Sequence, residues 1–417
     1  MMNNQYTIII GGGLSGLTCG IALAKRGYKV TILASGQSTL LFNGGSMELL
    51  GCIDGEIITS PLDAINRLPE QHPYRKIGTD RIETFAIQAK DLLDDAGIVM
   101  EGQAARNHWR ISPMGVAMPA WLTLNGNLWL DSLEELPARR LALMCVRGYL
   151  DQPNSMLAHG LQELGFDVRM KEFTTDDITS LRRSPSEMRA PTLAKRLLSS
   201  HALQRVADQV NQLADDADIV LLPSVFGQQD DSAVTTLQAM VNKPLRFVAT
   251  LPPSVSGMRI QSQLLHYFKM LGGDYRMGET AVSGTIEDER VVSIKTNKSG
   301  ATPLKADRFV LATGSFITRG LVADSQRIYE PIFDLDTDAD EDREKWTQYN
   351  VLEPQAYWTY GIATDERLRC RKQGKTIMNL HGIGSVLSGH NAIKMGDGSG
   401  VSLLSALAVA QDIISGK

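Results

Sequence analysis

The chain has 417 residues, of which 43% are hydrophobic and 21% charged. This is ordinary globular composition, with length enough for two or three domains. Lysine and arginine number 42 against 47 aspartates and glutamates, a net charge of −5; a slightly acidic chain without a basic run excludes nucleic acid and anionic lipid as leading partners. The four cysteines, Cys19, Cys52, Cys145 and Cys370, form no Cys-x-x-Cys pair. That argues against an intrinsic iron–sulfur cluster, a structural zinc site or a disulfide scaffold. No metal site is expected. No uncharged apolar run reaches the roughly 18 residues of a membrane span. The polar stretch Met1 to Thr7 leads into a strand without a signal-peptide pattern. The expectation is a cytoplasmic protein that inserts into no membrane and meets one only through a partner.

In chain order, Tyr6 to Ile10 is a β-branched run of the kind that forms a buried parallel strand. Three glycines follow, then a helix from Leu14 to Arg26 that stops at Gly27, then a strand over 28–33. Strand, glycine turn, helix and strand have the size of one βαβ unit. From Gly51 to Leu304 helices dominate, at 81–96, 155–164 and 197–214. Strand-like runs at 167–170, 219–222 and 247–251 interrupt them. A hairpin is expected over 281–286 and 290–296, a buried strand over 307–312, a solvated acidic loop over 334–344, a strand over 375–383 and a helix over 399–414. The two ends of the chain, 1–50 and 305–417, should build one nucleotide-binding domain, and 51–304 an inserted α+β cap.

Four glycine segments carry chemistry. The first, Gly11-Gly12-Gly13-Leu14-Ser15-Gly16, is G-x-G-x-x-G between a strand and a helix. Gly11 permits the tight turn, Gly13 lets backbone N–H groups approach a phosphate, and Gly16 lets the helix pack on the strand. The helix N-terminus adds partial positive charge. The acid that usually holds an adenosine ribose is missing, because the second strand ends Ile32-Leu33-Ala34-Ser35. Either the cofactor lacks an adenosine, as FMN does, or Ser35 and backbone groups hold the ribose of FAD.

The second segment contains Asn43, Gly44, Gly45 and Ser46, whose backbone could meet a flat ring; an ordinary turn is the alternative. The third, Ala312-Thr313-Gly314-Ser315, ends a buried strand with residues small enough for a cofactor to pass. The fourth runs from Gly384 to the helix that opens at Gly398, Ser399, Gly400 and Val401. Such a helix start would stabilise negative charge on a reduced flavin ring.

In this order the four segments resemble the two-dinucleotide-binding-domain flavoproteins, the fold of glutathione-reductase-like and succinate-dehydrogenase-like enzymes. Over nearly its whole length the chain is similar to the B-subunit family of anaerobic glycerol-3-phosphate dehydrogenases. The resemblance includes Phe42 to Leu50, His72-Pro73-Tyr74, Thr250-Leu251-Pro252-Pro253-Ser254-Val255-x-Gly257-x-Arg259, Ala312 to Phe316 and Ile383 to Leu387. It implies a Rossmann-like flavin-binding domain with FMN, or alternatively FAD. It also implies two partners: a homologous catalytic subunit carrying FAD, and a membrane-associated iron–sulfur subunit. The complex would oxidise glycerol 3-phosphate to dihydroxyacetone phosphate and pass electrons to quinone, peripheral to the inner membrane through its partner. Two rivals stand beside this: an independent fumarate-reductase-like flavin oxidoreductase, and a non-redox subunit with a vestigial flavin fold.

Alcohol oxidation by a flavin needs a proton acceptor, and a phosphate ester needs cationic donors. Arg259 and His266 in the cap, with His390 and Lys394 before the last helix, are the candidates. Arg259, His390 and Lys394 are taken forward as catalytic residues. Lys394 stands where fumarate-reductase-like enzymes have an arginine, and it lacks that residue's bidentate fork. His72 reads as a turn residue and His381 as a strand-end filler. No Ser-His-Asp nucleophile elbow and no P-loop is present.

Overall fold

A computed structural model describes residues 5–136, 139–182, 184–300 and 302–416. Met1 to Asn4, part of the polar N-terminal stretch, lie outside the described residues. The elements that matter are, in order, β1 (Tyr6–Ile10), α1 (Leu14–Ala24), β2 (Lys29–Ala34), α2 (Pro73–Ile77), α3 (Ile82–Asp95), β3 (Arg140–Val146), α4 (Asn154–Glu163), β4 (Asp167–Phe173) and α5 (Ser200–Leu213). They continue with β5 (Ile219–Pro223), α6 (Ser232–Met240), β6 (Leu245–Val248), α7 (Val255–Met270), β7 (Asp274–Met277), β8 (Ala281–Glu287), β9 (Arg290–Thr296), β10 (Arg308–Leu311), β11 (Arg369–Lys372), β12 (Lys375–Gly382) and α8 (Gly398–Ile414).

The chain divides into two compact units. Unit 1 comprises Met1–Ser38, Glu48–Ala96 and Leu264–Lys417, and unit 2 comprises Thr39–Met47 and Gly97–Gln263. The boundaries expected at residues 50 and 304 therefore shift. Residues 48–96 go to unit 1 because α3 packs on α8 and Arg81 pairs with Asp412. The segment after Leu264 goes there because β7 pairs with β2 and so extends the first sheet.

Unit 1 is built on a six-stranded sheet in the order β7-β2-β1-β10-β12-β11, parallel except for the β11–β12 pair. Inside that sheet β1 is apolar from Ile8 to Ile10 because both of its faces are covered: Ile8 and Ile9 are fully buried, with α1 and α8 packed together alongside. The thiols of Cys19 and Cys145 are pushed up to about 12 and about 11 by burial, as suits apolar filling rather than reactivity.

Unit 2 contains a second parallel sheet, ordered β4-β3-β5-β6. Along β3 the side chains divide between two cores. Ala142, Met144 and Val146 join one, and Leu141, Leu143 and Cys145 join the other. The expected helix-dominated middle is thus an α/β layer, with strands running 2-1-3-4 in chain order. The hairpin β8–β9 forms as expected. Among the described residues, no helix is long and apolar enough to cross a membrane.

Candidate functional site

The glycine turn sits at the carboxyl end of β1, against the end of β10. Gly11 has φ of +122°, and a Cβ there would stand 2.0 Å from the Ala312 carbonyl oxygen. Only glycine meets both demands. A Cβ on Gly16 would lie 1.9 Å from the carbonyl oxygen of Gly11, so helix and strand close on each other without side chains. Gly13 is different. Its backbone is ordinary extended chain (φ −86°), and the nearest atom to a Cβ there is the Ser38 Cβ at 3.6 Å. The space beside Gly13 is open, as an approaching phosphate requires. No side chain caps α1, so its first-turn N–H groups face out of the helix end, together with the positive end of the helix dipole.

Two further segments join this turn. Ala312 donates its N–H to the Ile10 carbonyl at 2.8 Å, which sets Thr313 beside Gly11. The Thr313 hydroxyl is buried without a hydrogen-bond partner, and an unpaired buried hydroxyl costs about 1–3 kcal/mol. A cofactor oxygen would relieve that cost. A Cβ on Gly384 would lie 2.6 Å from Ser15 Oγ, so the start of the fourth segment meets the start of α1. Gly11, Gly13, Leu14, Ser15, Gly16, Thr313, Gly314 and Gly384 thus gather at one edge of the unit 1 sheet. The chemistry fits the phosphate end of a flavin nucleotide.

The ribose end carries no strand-end acid. Ala34 is buried at the tip of β2 and Ser35 is exposed. Tyr275 of β7 reaches across, and its hydroxyl donates to the Gly12 carbonyl at 3.1 Å. The nearby Glu279 is buried and accepts from the Thr296 hydroxyl at 2.7 Å.

At the start of α8, Ser399 donates its hydroxyl to Glu48 Oε2 at 3.1 Å, and Gly400 donates its N–H to the Glu48 carbonyl at 2.8 Å. A Cβ on Gly400 would collide with the Tyr74 hydroxyl at 2.1 Å. Gly400 and the fully buried Val401 therefore serve packing here. Next to them lies a group that sequence reasoning missed. Asp397, with no exposure at all, accepts from His72 Nε2 at 3.0 Å through Oδ2 and from His390 Nδ1 at 3.2 Å through Oδ1. His72 Nδ1 accepts the Tyr74 N–H at 3.1 Å, which fixes the tautomer with the proton on Nε2. Burial by itself would raise the Asp397 carboxyl, but the charge and hydrogen bond of His390, followed by those of His72, outweigh it and hold the group below the usual carboxylate range. Burial lowers the His72 pKa, against the pull of Asp397.

Of the remaining candidates, Lys394 is exposed, and so is His266. His381 is buried on β12 with neither ring nitrogen paired, and burial lowers its pKa to about 4. Arg259 lies in unit 2, almost fully buried. Asn43, Gly44, Gly45 and Ser46 also belong to unit 2. There Asn43 closes its own turn, accepting from the Gly45 N–H and donating to the Ser46 carbonyl, both at 2.8 Å. Gly44 and Ser46 help line a small pocket with Arg110, Thr123, Asn127 and Ala249. Among the described residues, no three His, Cys, Asp or Glu side chains are grouped as metal ligands.

Comparison with known proteins gives the family. A family model described as an FAD binding domain matches residues 7–401. The B subunit of the anaerobic glycerol-3-phosphate dehydrogenase of Yersinia enterocolitica is 39% identical over 414 residues, 98% of this chain and 97% of that protein. The chain belongs to the B-subunit family of anaerobic glycerol-3-phosphate dehydrogenases. The corresponding B subunit of Pectobacterium atrosepticum is 36% identical over 411 residues, 98% of each protein. Among solved structures, a 3-ketosteroid delta1-dehydrogenase from Sterolibacterium denitrificans aligns over 100% of both chains at 11% identity, with a TM-score of 0.45. The family match speaks for FAD. FMN, the first expectation from the family resemblance, has no support in it.

Proposed function

We propose that this chain is the flavin-holding B subunit of a glycerol-3-phosphate dehydrogenase complex. The observation that carries the reading is the glycine cradle at the end of β1, with its open space at Gly13 and its unpaired Thr313 hydroxyl. The named relatives that match along nearly the full chain support it. FAD is the flavin of choice, its pyrophosphate held by α1 and its adenosine held without a strand-end carboxylate. When bound, the flavin supplies the hydride acceptor.

The chain's own residues supply position and proton transfer. Asp397 orients the His390 ring through Nδ1, which leaves Nε2 as the proton acceptor for an alcohol hydroxyl. The exposed Lys394 takes no part in that step. A homologous catalytic partner, an iron–sulfur partner and quinone complete the electron route in this reading, and association with the membrane goes through the partners.

The test is anaerobic addition of glycerol 3-phosphate to the purified complex of this chain with its co-expressed partners, followed at the flavin absorbance. The expected result is bleaching of flavin, including the share that co-purifies with this chain alone. In His390→Ala, turnover of the complex should fall about 10²–10⁴-fold. A complex whose flavin stays oxidised with glycerol 3-phosphate would refute the reading.

A further inference from the structure

Between β10 and β11, unit 1 carries a loop whose apolar side chains stand in solvent. Val351 and Leu352 are each 81% exposed, and Tyr349 is fully exposed. Single exposed apolar side chains are ordinary, but a contiguous group of them marks an interaction surface. The loop is not slack chain. Gln355 spans it: its Oε1 accepts the Gln348 N–H at 2.8 Å, and its amide nitrogen donates to the Asn350 and Glu353 carbonyls at 3.0 and 3.1 Å. Asn350 Oδ1 accepts the Leu352 N–H at 3.1 Å. Polar groups thus close the loop from within, and the apolar side chains are left outside.

The base of the loop rests beside the flavin cradle. Trp346 is buried there, donating its indole N–H to the Asp340 carbonyl at 2.7 Å and accepting the Tyr357 N–H on its own carbonyl at 3.1 Å. The Tyr357 ring meets Phe316 edge-on, with centroids 6.1 Å apart. Phe316 belongs to the turn that offers Thr313 to the cofactor, and the Thr318 hydroxyl closes that turn by donating to the Thr313 carbonyl at 2.7 Å. Ile317 of the same turn is 64% exposed. The chain leading into the loop is acidic: from Asp338 to Glu353 six carboxylates stand against two cations. One of those cations, Lys345, is paired with Asp340 at 3.2 Å. Glu341 and Glu344 are exposed.

We propose that this loop is the docking surface for another subunit of the complex, one that presents an apolar recess rimmed by lysine or arginine. The proposal rests on the reading of this chain as a subunit of a dehydrogenase complex, and adds the place of contact. Tyr349, Val351 and Leu352 supply affinity by leaving water together. The acidic flank selects a basic partner and speeds the encounter. A second copy of this chain fits less well, because contact of the same patch across a two-fold axis sets these carboxylates against each other. A subunit seated on the loop lies next to the flavin cradle.

The test is co-purification of the other subunits of the complex, co-expressed with a tagged form of this chain and washed at rising salt. The wild-type chain should retain a partner subunit, and retention should fall as salt rises. Val351→Ser combined with Leu352→Ser should weaken retention about tenfold or more, with flavin content and melting temperature unchanged, since both side chains are exposed. Glu341→Lys combined with Glu344→Lys should weaken it several-fold and remove most of the salt dependence. Leu198→Ser, at an apolar side chain of unit 2 that is also exposed, should retain the partner as wild type does. Wild-type retention in both double variants would overturn the proposal. So would a free chain that forms dimers which the Val351 and Leu352 changes dissolve, since the occupant would then be a second copy. A wild-type chain that holds flavin but no partner would overturn it too and leave the cradle standing. A complex that holds together through this loop but whose flavin glycerol 3-phosphate leaves oxidised would refute the functional reading and support the docking surface.

Discussion

Gly13→Val folds like the wild-type chain and loses its flavin. The expected loss is at least tenfold in bound flavin per chain, with little change in melting temperature. The backbone at Gly13 lies in an extended region that valine adopts without strain, and the side chain would enter open space. The stability change should therefore stay near the roughly 0.5 kcal/mol typical of unencumbered sites. That open space is where a phosphate must come against the first-turn N–H groups of α1, and a branched side chain there keeps it away. Gly11→Val is the contrast. It places a Cβ at +122° and 2.0 Å from a carbonyl oxygen, so it should lower both the melting temperature and the flavin content. Flavin content and melting curves on the two variants separate binding from folding. A Gly13→Val protein with full flavin would show that the cradle does not hold the phosphates.

Asp397→Ala should be the most destabilising single change in unit 1. It strips the common acceptor from two buried imidazoles. Removing one partner of a buried polar pair typically costs about 3–5 kcal/mol, which corresponds to a fall on the order of 10 °C in a domain of this size. The pH dependence has a defined sign. The folded pKa of Asp397 is depressed, so its contribution is present above the unfolded value of about 3.9 and is lost only as pH falls through the lower folded value. The folded pKa of His72 is also lowered. Its unfolded form therefore takes up a proton first, and stability falls as pH drops below about 6.5. The wild-type melting temperature should decline from pH 7 to pH 4 and decline again below that. In Asp397→Ala the first decline should be steeper, because His72 loses the partner that opposes its desolvation. Melting curves that match wild type across this range would show that the three side chains are not coupled.

The contrast between what sequence pattern revealed and what it hid has physical causes. The β1–α1–β2 unit is legible because its glycines are fixed by close approach, and close approach leaves a spacing that can be read. Thr313 and Gly384 are legible for the same reason. Unit 2's parallel sheet is legible only in part: β4, β5 and β6 show as strand-like runs, and β3 does not. That central strand, Leu141 to Val146, is buried on both faces and built of Leu, Ala, Met and Cys, so it lacks alternation and has only one β-branched residue. The His72–Asp397–His390 group is hidden by distance along the chain, since His72 and Asp397 lie 325 positions apart. His72 also looks like a turn residue because it does cap the short helix α2. At Asn43 the side chain is used up within its own turn, which leaves the glycine-rich segment only backbone groups to offer a ring.

The most direct measurement is the absorption spectrum of the purified chain, followed by chromatography of what acid or heat releases. A yellow protein releasing about one FAD per chain is the predicted result, and it would mean that the adenosine is held without a carboxylate at the end of β2. Released FMN would contradict the choice of cofactor while keeping the cradle. A colourless, folded chain that takes up no flavin when supplied with it would contradict the redox role altogether.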